Sequence, residues 1–178
     1  MFELYTVSSY ESDIVSREKF QMLVDDYSGQ ILNTAVRILG DPEKAKDVHQ
    51  EVFLAIWKRW HKYNGQTNWD AYLYRVTVRK AIEFARRSKF LRGGSDDGII
   101  SHDSPDEFLV TEELQKKLTE CLAKIPTRQA EVFVLSRVEG LKAKRIADIL
   151  GCSQQTVRVH LHRALKRLAR ELGDYLTG

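Results

Sequence analysis

Apolar residues in this chain return every three or four positions, and that period limits what it can fold into. Between Phe20 and Leu39 it runs through Leu23, Val24, Tyr27, Ile31, Leu32, Ala35, Ile38 and Leu39. Such spacing lines one face of an α-helix. Strand patterning is nearly absent: "RVTV" (75–78) is the one β-branched run, and it sits inside a helical period. The chain is therefore expected to be all-α. Gly40-Asp41-Pro42 ends the first helix and starts a second, with Asp41 as N-cap and Pro42 at the first helical position. The second helix, 43–61, carries Ala45, Val48, Val52, Phe53, Ile56, Trp57 and Trp60 on its apolar side. "YNGQTNWD" (63–70) reads as a loop, and Asp70 as the cap of a third helix running from Ala71 to Phe90.

"RGGSDDGIISHDSPDE" (92–107) is rich in Gly, Ser, Asp and Pro and reads as a flexible acidic linker. Beyond it Phe108, Leu109, Leu114, Leu118, Cys121 and Leu122 resume the helical period. Pro126 breaks it, and Thr127 is the expected cap of a helix with Ala130, Val132, Phe133, Leu135 and Val138, ended by Glu139-Gly140. Two small helical domains joined by a flexible linker are the expected architecture.

"LKAKRIADILGCSQQTVRVHLHRALKRLAR" (141–170) is the most informative stretch. A short helix, Leu141–Leu150, turns Ile146, Ile149 and Leu150 inward; Gly151 suits a left-handed helix end and Ser153 the next N-cap. Helix, tight turn and second helix make a DNA-binding helix-turn-helix. In the second helix Val157, Leu161, Ala164, Leu165 and Leu168 share the apolar face. Gln155, Val159, His162, Arg163 and Lys166 lie opposite, with Thr156 and Arg158 beside them. Gln and Arg pair bidentately with base edges, while Thr and Lys suit phosphates. A solvated basic face would explain the charge, but not the Gly-Cys-Ser turn.

The net charge is only +3, but its distribution is uneven. Residues 75–92 carry Arg75, Arg79, Lys80, Arg86, Arg87, Lys89 and Arg92 against one acid, Glu83. With the second block at 141–170, this suggests two polyanion-facing surfaces on different modules. In the first, Trp69, Tyr72, Tyr74 and Phe84 interleave with the cations, a pattern that suits stacking of unpaired bases; core packing is the plain alternative, favoured for Phe84. Cys121 and Cys152 are too far apart for a C-x-x-C pair and read as packed thiols. His160 and His162 point to different faces of one helix. No metal-ligand cluster, phosphate-cradling loop or nucleophile–base arrangement appears, so neither catalytic residues, metal nor cofactor is expected. The first twenty residues lack signal-peptide character, and no apolar run approaches a membrane span of about 20 residues. A cytoplasmic protein without membrane insertion is expected.

"IPTRQAEVFVLSRVEGLKAKRIADILGCSQQTVRVHLHRALKRL" resembles region 4 of the extracytoplasmic-function (ECF, group 4) sigma factors of the sigma-70 family. The segment from Phe20 through "DVHQEVFLAIWKRW" to "YLYRVTVRKAIEFARR" resembles their region 2. The resemblance covers residues 16–172 and implies four parts: an extension (1–15), region 2 (16–91), a linker (92–107) and region 4 (108–178). It implies docking on core RNA polymerase, region 2 on the β′ clamp helices and region 4 on the β flap. Promoter DNA is the other implied partner, and the family commonly has an anti-sigma factor. Carried over by position, Asp47, Gln50, Glu51, Phe53 and Leu54 face the clamp. Trp69, Tyr72, Arg75, Arg79, Lys80, Glu83, Arg86 and Arg87 fall on the surface that reads and melts the −10 element. Gln155, Thr156, Arg158, Val159, His162, Arg163 and Lys166 fall on the −35 surface.

Three departures stand out. The family's acidic tetrad "DAED" is here Lys44-Ala45-Lys46-Asp47. Ammoniums replace two carboxylates, which should weaken docking to a basic partner by about 1 kcal/mol or less for each exposed contact. The common Asn of the −10 helix is Arg79, with Glu83 four residues on, and these two are spaced to pair with each other. Residues 1–15 match nothing in the family. The competing readings are a stand-alone helix-turn-helix regulator, which would need a dimerisation or ligand domain, and a nucleic-acid-processing enzyme, which lacks a recognisable site.

Overall fold

The computed structural model describes residues 3–63, 66–91 and 106–176. Seven α-helices make up nearly all of it: α1 (Glu3–Leu39), α2 (Pro42–Trp57), α3 (Trp69–Leu91), α4 (Asp106–Lys124), α5 (Thr127–Phe133), α6 (Ala143–Leu150) and α7 (Gln154–Leu176). A 3₁₀ turn (Trp60–Lys62) follows α2, and a π turn (Val134–Val138) extends α5. Among the described residues there is no strand. "RVTV" is helical, with Thr77 and Val78 fully buried. The first helix begins well before Phe20 and takes in residues 3–15, so most of the unmatched extension continues α1. Of the expected linker (92–107), residues 92–105 lie outside the described residues, and Asp106 and Glu107 already belong to α4.

Local chemistry sets the boundaries. Asp41 Oδ1 accepts the amides of Glu43 (2.9 Å) and Lys44 (3.2 Å), and Pro42 opens α2, as expected. Two other expected caps are different. Asn68, not Asp70, caps α3: its Oδ1 accepts the Ala71 amide at 3.1 Å. At α5 the N-cap position is Pro126, without a side-chain bond, and the Thr127 hydroxyl accepts from Arg86 instead. In both places a distant arginine holds the residue that looked like a local cap. The helix of the 141–150 stretch starts at Ala143, after Gly140 at φ 68°.

The helices form two bundles, α1–α3 and α4–α7, with α3 packed on both. Ile31, Ile38, Val48, Val52, Ile56, Leu73 and Ile82 fill the first core. Leu122, Val132, Leu135, Ile146, Ile149, Val157, Ala164 and Leu168 fill the second. Cys121 is buried there and Cys152 half-buried, as packed thiols. Burial pushes the Cys121 thiol above its ordinary pKa, which keeps it unreactive. Where the bundles meet, helix ends are capped across the gap. Gln115 and Thr119 of α4 donate to the Ile38 carbonyl (3.3 and 2.9 Å), one of the free carbonyls at the end of α1. In return Arg86 of α3 donates to the Ala123 (3.1 Å) and Ile125 (2.7 Å) carbonyls at the end of α4.

Candidate nucleic-acid interface

The helix-turn-helix follows from two residues. Gly151 takes the left-handed conformation (φ 63°, ψ 46°) that ends α6, and the Cys152 amide reaches back to the Ala147 carbonyl at 3.0 Å. Ser153 Oγ then accepts the Thr156 amide at 3.0 Å, starting α7. Val157, Ala164 and Leu168 anchor α7 with 3% exposure or less. Leu165, expected beside them, is 37% exposed at the edge of the stripe. On the outer side Gln155, Arg158, Val159, His162, Arg163 and Lys166 are exposed, with Thr156 half-buried beside the Ser153 hydroxyl (2.9 Å). Among the described residues, none of Arg158, Arg163 and Lys166 has an ion-pair partner. The face is uncommitted and positively charged. His160 is half-buried and faces away from exposed His162, so the two do not converge.

The basic face of α3 is the opposite case, because its cations are engaged within the chain. Arg75 lies over the Tyr72 ring, 5.5 Å from its centroid. Lys80 pairs with Glu51 (3.4 Å) and Glu83 (3.7 Å). Arg87 pairs with Glu51 at 2.5 Å and sits over Phe84. Arg86 holds the end of α4 and the Thr127 hydroxyl (2.6 Å). Arg79 does not pair with Glu83: its Nε donates to Glu131 of α5 at 3.0 Å, and Glu83 turns to Lys80. Sequence spacing offered Arg79 its neighbour one turn on, but the fold brings up a carboxylate with only 1% exposure, which has more to gain from a cation.

At the start of α3, Trp69 and Tyr72 are half-buried in an aromatic cluster. Trp60 stacks on Trp69 (centroids 5.6 Å, 21° between planes), and Tyr63 meets both Trp69 (4.9 Å) and Tyr72 (5.4 Å). The Tyr63 and Tyr72 hydroxyls are hydrogen-bonded. Burial, with that bond second, pushes the Tyr63 phenol well above its ordinary pKa, so it stays protonated. Trp60 and Tyr63 were not among the sequence candidates; their signal was the three-residue spacing of Trp57, Trp60 and Tyr63.

Phe20 joins this cluster, 5.1 Å from Trp60, to an open groove of about 520 Å³ that α1 and α2 leave between them, walled by Arg17, Phe20, Gln21, Val24, His49, Gln50, Phe53, Leu54 and Trp57. Leu54 (52% exposed) and Trp57 (42%) stand out from it, while Phe53 (7%) forms part of the core beneath. Asp47 and Gln50 are exposed alongside, and half-buried Glu51 points to α3. The two lysines of the tetrad are neutralised locally: Lys44 pairs with Asp41 and Lys46 with Glu43 (2.6 Å). Lys44, the foremost influence, holds the Asp41 carboxyl below its ordinary pKa. Burial does the same to the His49 imidazole, which contacts Ser28 Oγ at 3.0 Å. Among the described residues no His, Cys, Asp and Glu converge as a metal site, and no helix is long and apolar enough to cross a membrane.

Comparison with known proteins agrees with this anatomy. Residues 23–90 match the family profile of sigma-70 region 2, and residues 115–168 that of sigma-70 region 4. RNA polymerase sigma-H factor of Pseudomonas aeruginosa is 25% identical over 90% of this chain and 89% of its own. The ECF RNA polymerase sigma factor SigW of Bacillus subtilis is 24% identical over 89% of this chain and 91% of its own. Among solved structures, the sigma factor RpoE bound to the anti-sigma factor NepR from Bartonella quintana shares the fold. Its TM-score is 0.52 at 20% identity, covering 88% of this chain and 98% of that one. The two matched regions, in this order on α1–α3 and α4–α7, together with the ECF relatives that align along nearly the whole chain, place it in the extracytoplasmic-function group of the sigma-70 family.

Proposed function

We infer that this chain is a transcription initiation factor: it binds core RNA polymerase and directs it to promoters by reading the −10 and −35 elements. It is not an enzyme; polymerase supplies the chemistry. The observation that carries the reading is the exposed face of α7, unpaired among the described residues, set on a chain matched by both sigma regions. A stand-alone operator-binding regulator would leave α1–α3 without a task.

Residue roles follow from what each side chain offers. Arg158, Val159, His162 and Arg163 read −35 base edges, and Gln155, Thr156 and Lys166 hold the flanking backbone. Trp69 and Tyr72 stack bases of the opened −10 strand, and Arg75, Arg79, Lys80, Arg86 and Arg87 serve its phosphates, with Glu83 positioning Lys80. Core polymerase seats on the α1–α2 groove through Leu54 and Gln50, flanked by Asp47, with Phe53 beneath and Glu51 tying α2 to α3. The neighbour bound to NepR supports an anti-sigma factor as a further partner. The site of action is the cytoplasm, with the polymerase. The test is run-off transcription with added core enzyme. Promoter-dependent transcripts are expected only when both proteins are present; no transcript above core alone on any permissive template would refute the reading.

A further inference from the structure

Val159 has no packing reason to be apolar. It is 37% exposed, on a helix whose buried anchors are Val157, Ala164 and Leu168. At about 100° per residue, Val159 lies about 140° or more around the helix from each of the three. Leu165, also 37% exposed, is the other exposed large apolar side chain of α7 among the described residues. It lies about 60° from Leu168, so it borders the buried stripe. Val159 borders nothing buried on its own helix. A β-branched residue is also a poorer helix former than the Gln and Arg around it.

Single exposed valines are common on protein surfaces. The setting of this one gives it a task. Its neighbours one turn away are Gln155, Thr156, His162 and Arg163, all of them hydrogen-bonding side chains. Val159 is therefore not part of an apolar patch that a protein partner would cover. It lies in the second turn of a helix that starts at Gln154, and recognition helices present their N-terminal turns to base edges. The base edges of the major groove carry donors, acceptors and one apolar group, the 5-methyl of thymine. Around Val159 are side chains for the donors and acceptors; Val159 itself suits the methyl group.

We propose that Val159 selects a thymine of the −35 element through van der Waals contact with its 5-methyl group. This deepens the −35 reading of α7 and rests on it. The position of that thymine follows from the helix. Val159 and Arg163 are four residues apart, about 6 Å along the axis at 1.5 Å per residue. Base pairs rise about 3.4 Å. The thymine therefore lies about one or two base pairs from the base that Arg163 selects. The contact senses the methyl group rather than the ring, so 5-methylcytosine would offer it the same surface.

The test uses holoenzyme, the full chain bound to core polymerase, and the −35 duplex that it enriches from a randomised library. Each thymine is replaced singly by deoxyuridine, which removes the methyl group and leaves the hydrogen-bonding groups unchanged. One replacement, about one or two base pairs from the base whose selection Arg163→Ala relaxes, is expected to weaken binding about fourfold, as for one buried methyl group. Val159→Ser holoenzyme should show no such loss on the same duplexes. With cytosine at that position, 5-methylation should tighten binding by the wild type about fourfold and leave Val159→Ser unaffected. The proposal is overturned if no thymine responds to loss of its methyl group, or if the response is as large in Val159→Ser. The deoxyuridine series needs no variant, so the first of these outcomes does not depend on folding of a mutant chain. Run-off transcription by the same holoenzyme separates the two claims. Promoter-dependent transcripts without a thymine response leave the sigma-factor reading standing and remove the methyl contact; no transcript and no enriched duplex remove both.

Discussion

At the residue scale, the roles proposed on α7 separate base reading from charge. Arg163 and Lys166 are both exposed and unpaired among the described residues, yet they should fail differently. Arg163→Ala should lower selection at one −35 base by about 1–3 kcal/mol, seen as converging affinities for matched and mismatched duplexes. Lys166→Ala should weaken every sequence alike and lower the slope of log affinity against log salt by about one. His49 gives a pH prediction. Burial keeps its folded pKa below the ordinary value, so the unfolded chain takes up the proton first. Its contribution is complete above about pH 6.5 and is lost as pH falls through the folded value. Urea unfolding across that range should show the decline, and His49→Gln should flatten it. The exposed outer face of α7 was legible in the sequence because period and residue type decide which side is apolar. The partner of Arg79 was not, because Glu131 lies fifty-two residues away on another helix.

At the element scale, two glycines test different constraints. Gly151 has φ 63° and open space where a side chain would go, so Gly151→Ala meets only the left-handed penalty of about 1–2 kcal/mol. Gly40 has φ 67°, and a Cβ there would lie 2.6 Å from Gln115 Cγ. Gly40→Ala should therefore lower the melting temperature more than Gly151→Ala, by disturbing the Gln115 bond to the end of α1 as well. Equal losses would show that α4 moves aside freely. Asp41→Ala removes a cap with two amide bonds and the Lys44 partner, and should destabilise the chain by about 1 kcal/mol in denaturant unfolding. Asp41 was readable as a cap because Pro42 follows it. Asp70 and Thr127 looked equally suitable, but Arg145 and Arg86 reach them from other helices.

At the scale of the whole molecule, polymerase docking is where sequence and structure pull apart. Two lysines in an acidic tetrad suggest a repelled partner, yet each already pairs with an acid three residues earlier, Lys44 with Asp41 and Lys46 with Glu43. The first turn of α2 is thus electrically balanced, and the groove farther along the helix is walled mainly by apolar side chains. Lys44→Asp/Lys46→Glu is expected to change core affinity less than about tenfold, because exposed pairs contribute about 1 kcal/mol or less each. Leu54→Ala, losing the most prominent apolar contact of the groove, should weaken docking more. Titration of labelled core enzyme with each variant decides the order.

Periodicity, caps and turn glycines are local properties, and they were enough for an all-α chain, its two bundles and the exposed polar side of α7. A helix has little choice about which side is apolar, so that side announces itself in the residues. What each cation touches is a different kind of fact. A long arginine chooses among carboxylates by distance and burial, and both arise only when helices remote in sequence pack together. Tertiary packing alone therefore decided that Arg79 meets Glu131, that Arg86 caps α4, and that the basic face of α3 is occupied while Arg158, Arg163 and Lys166 of α7 have no ion-pair partner among the described residues.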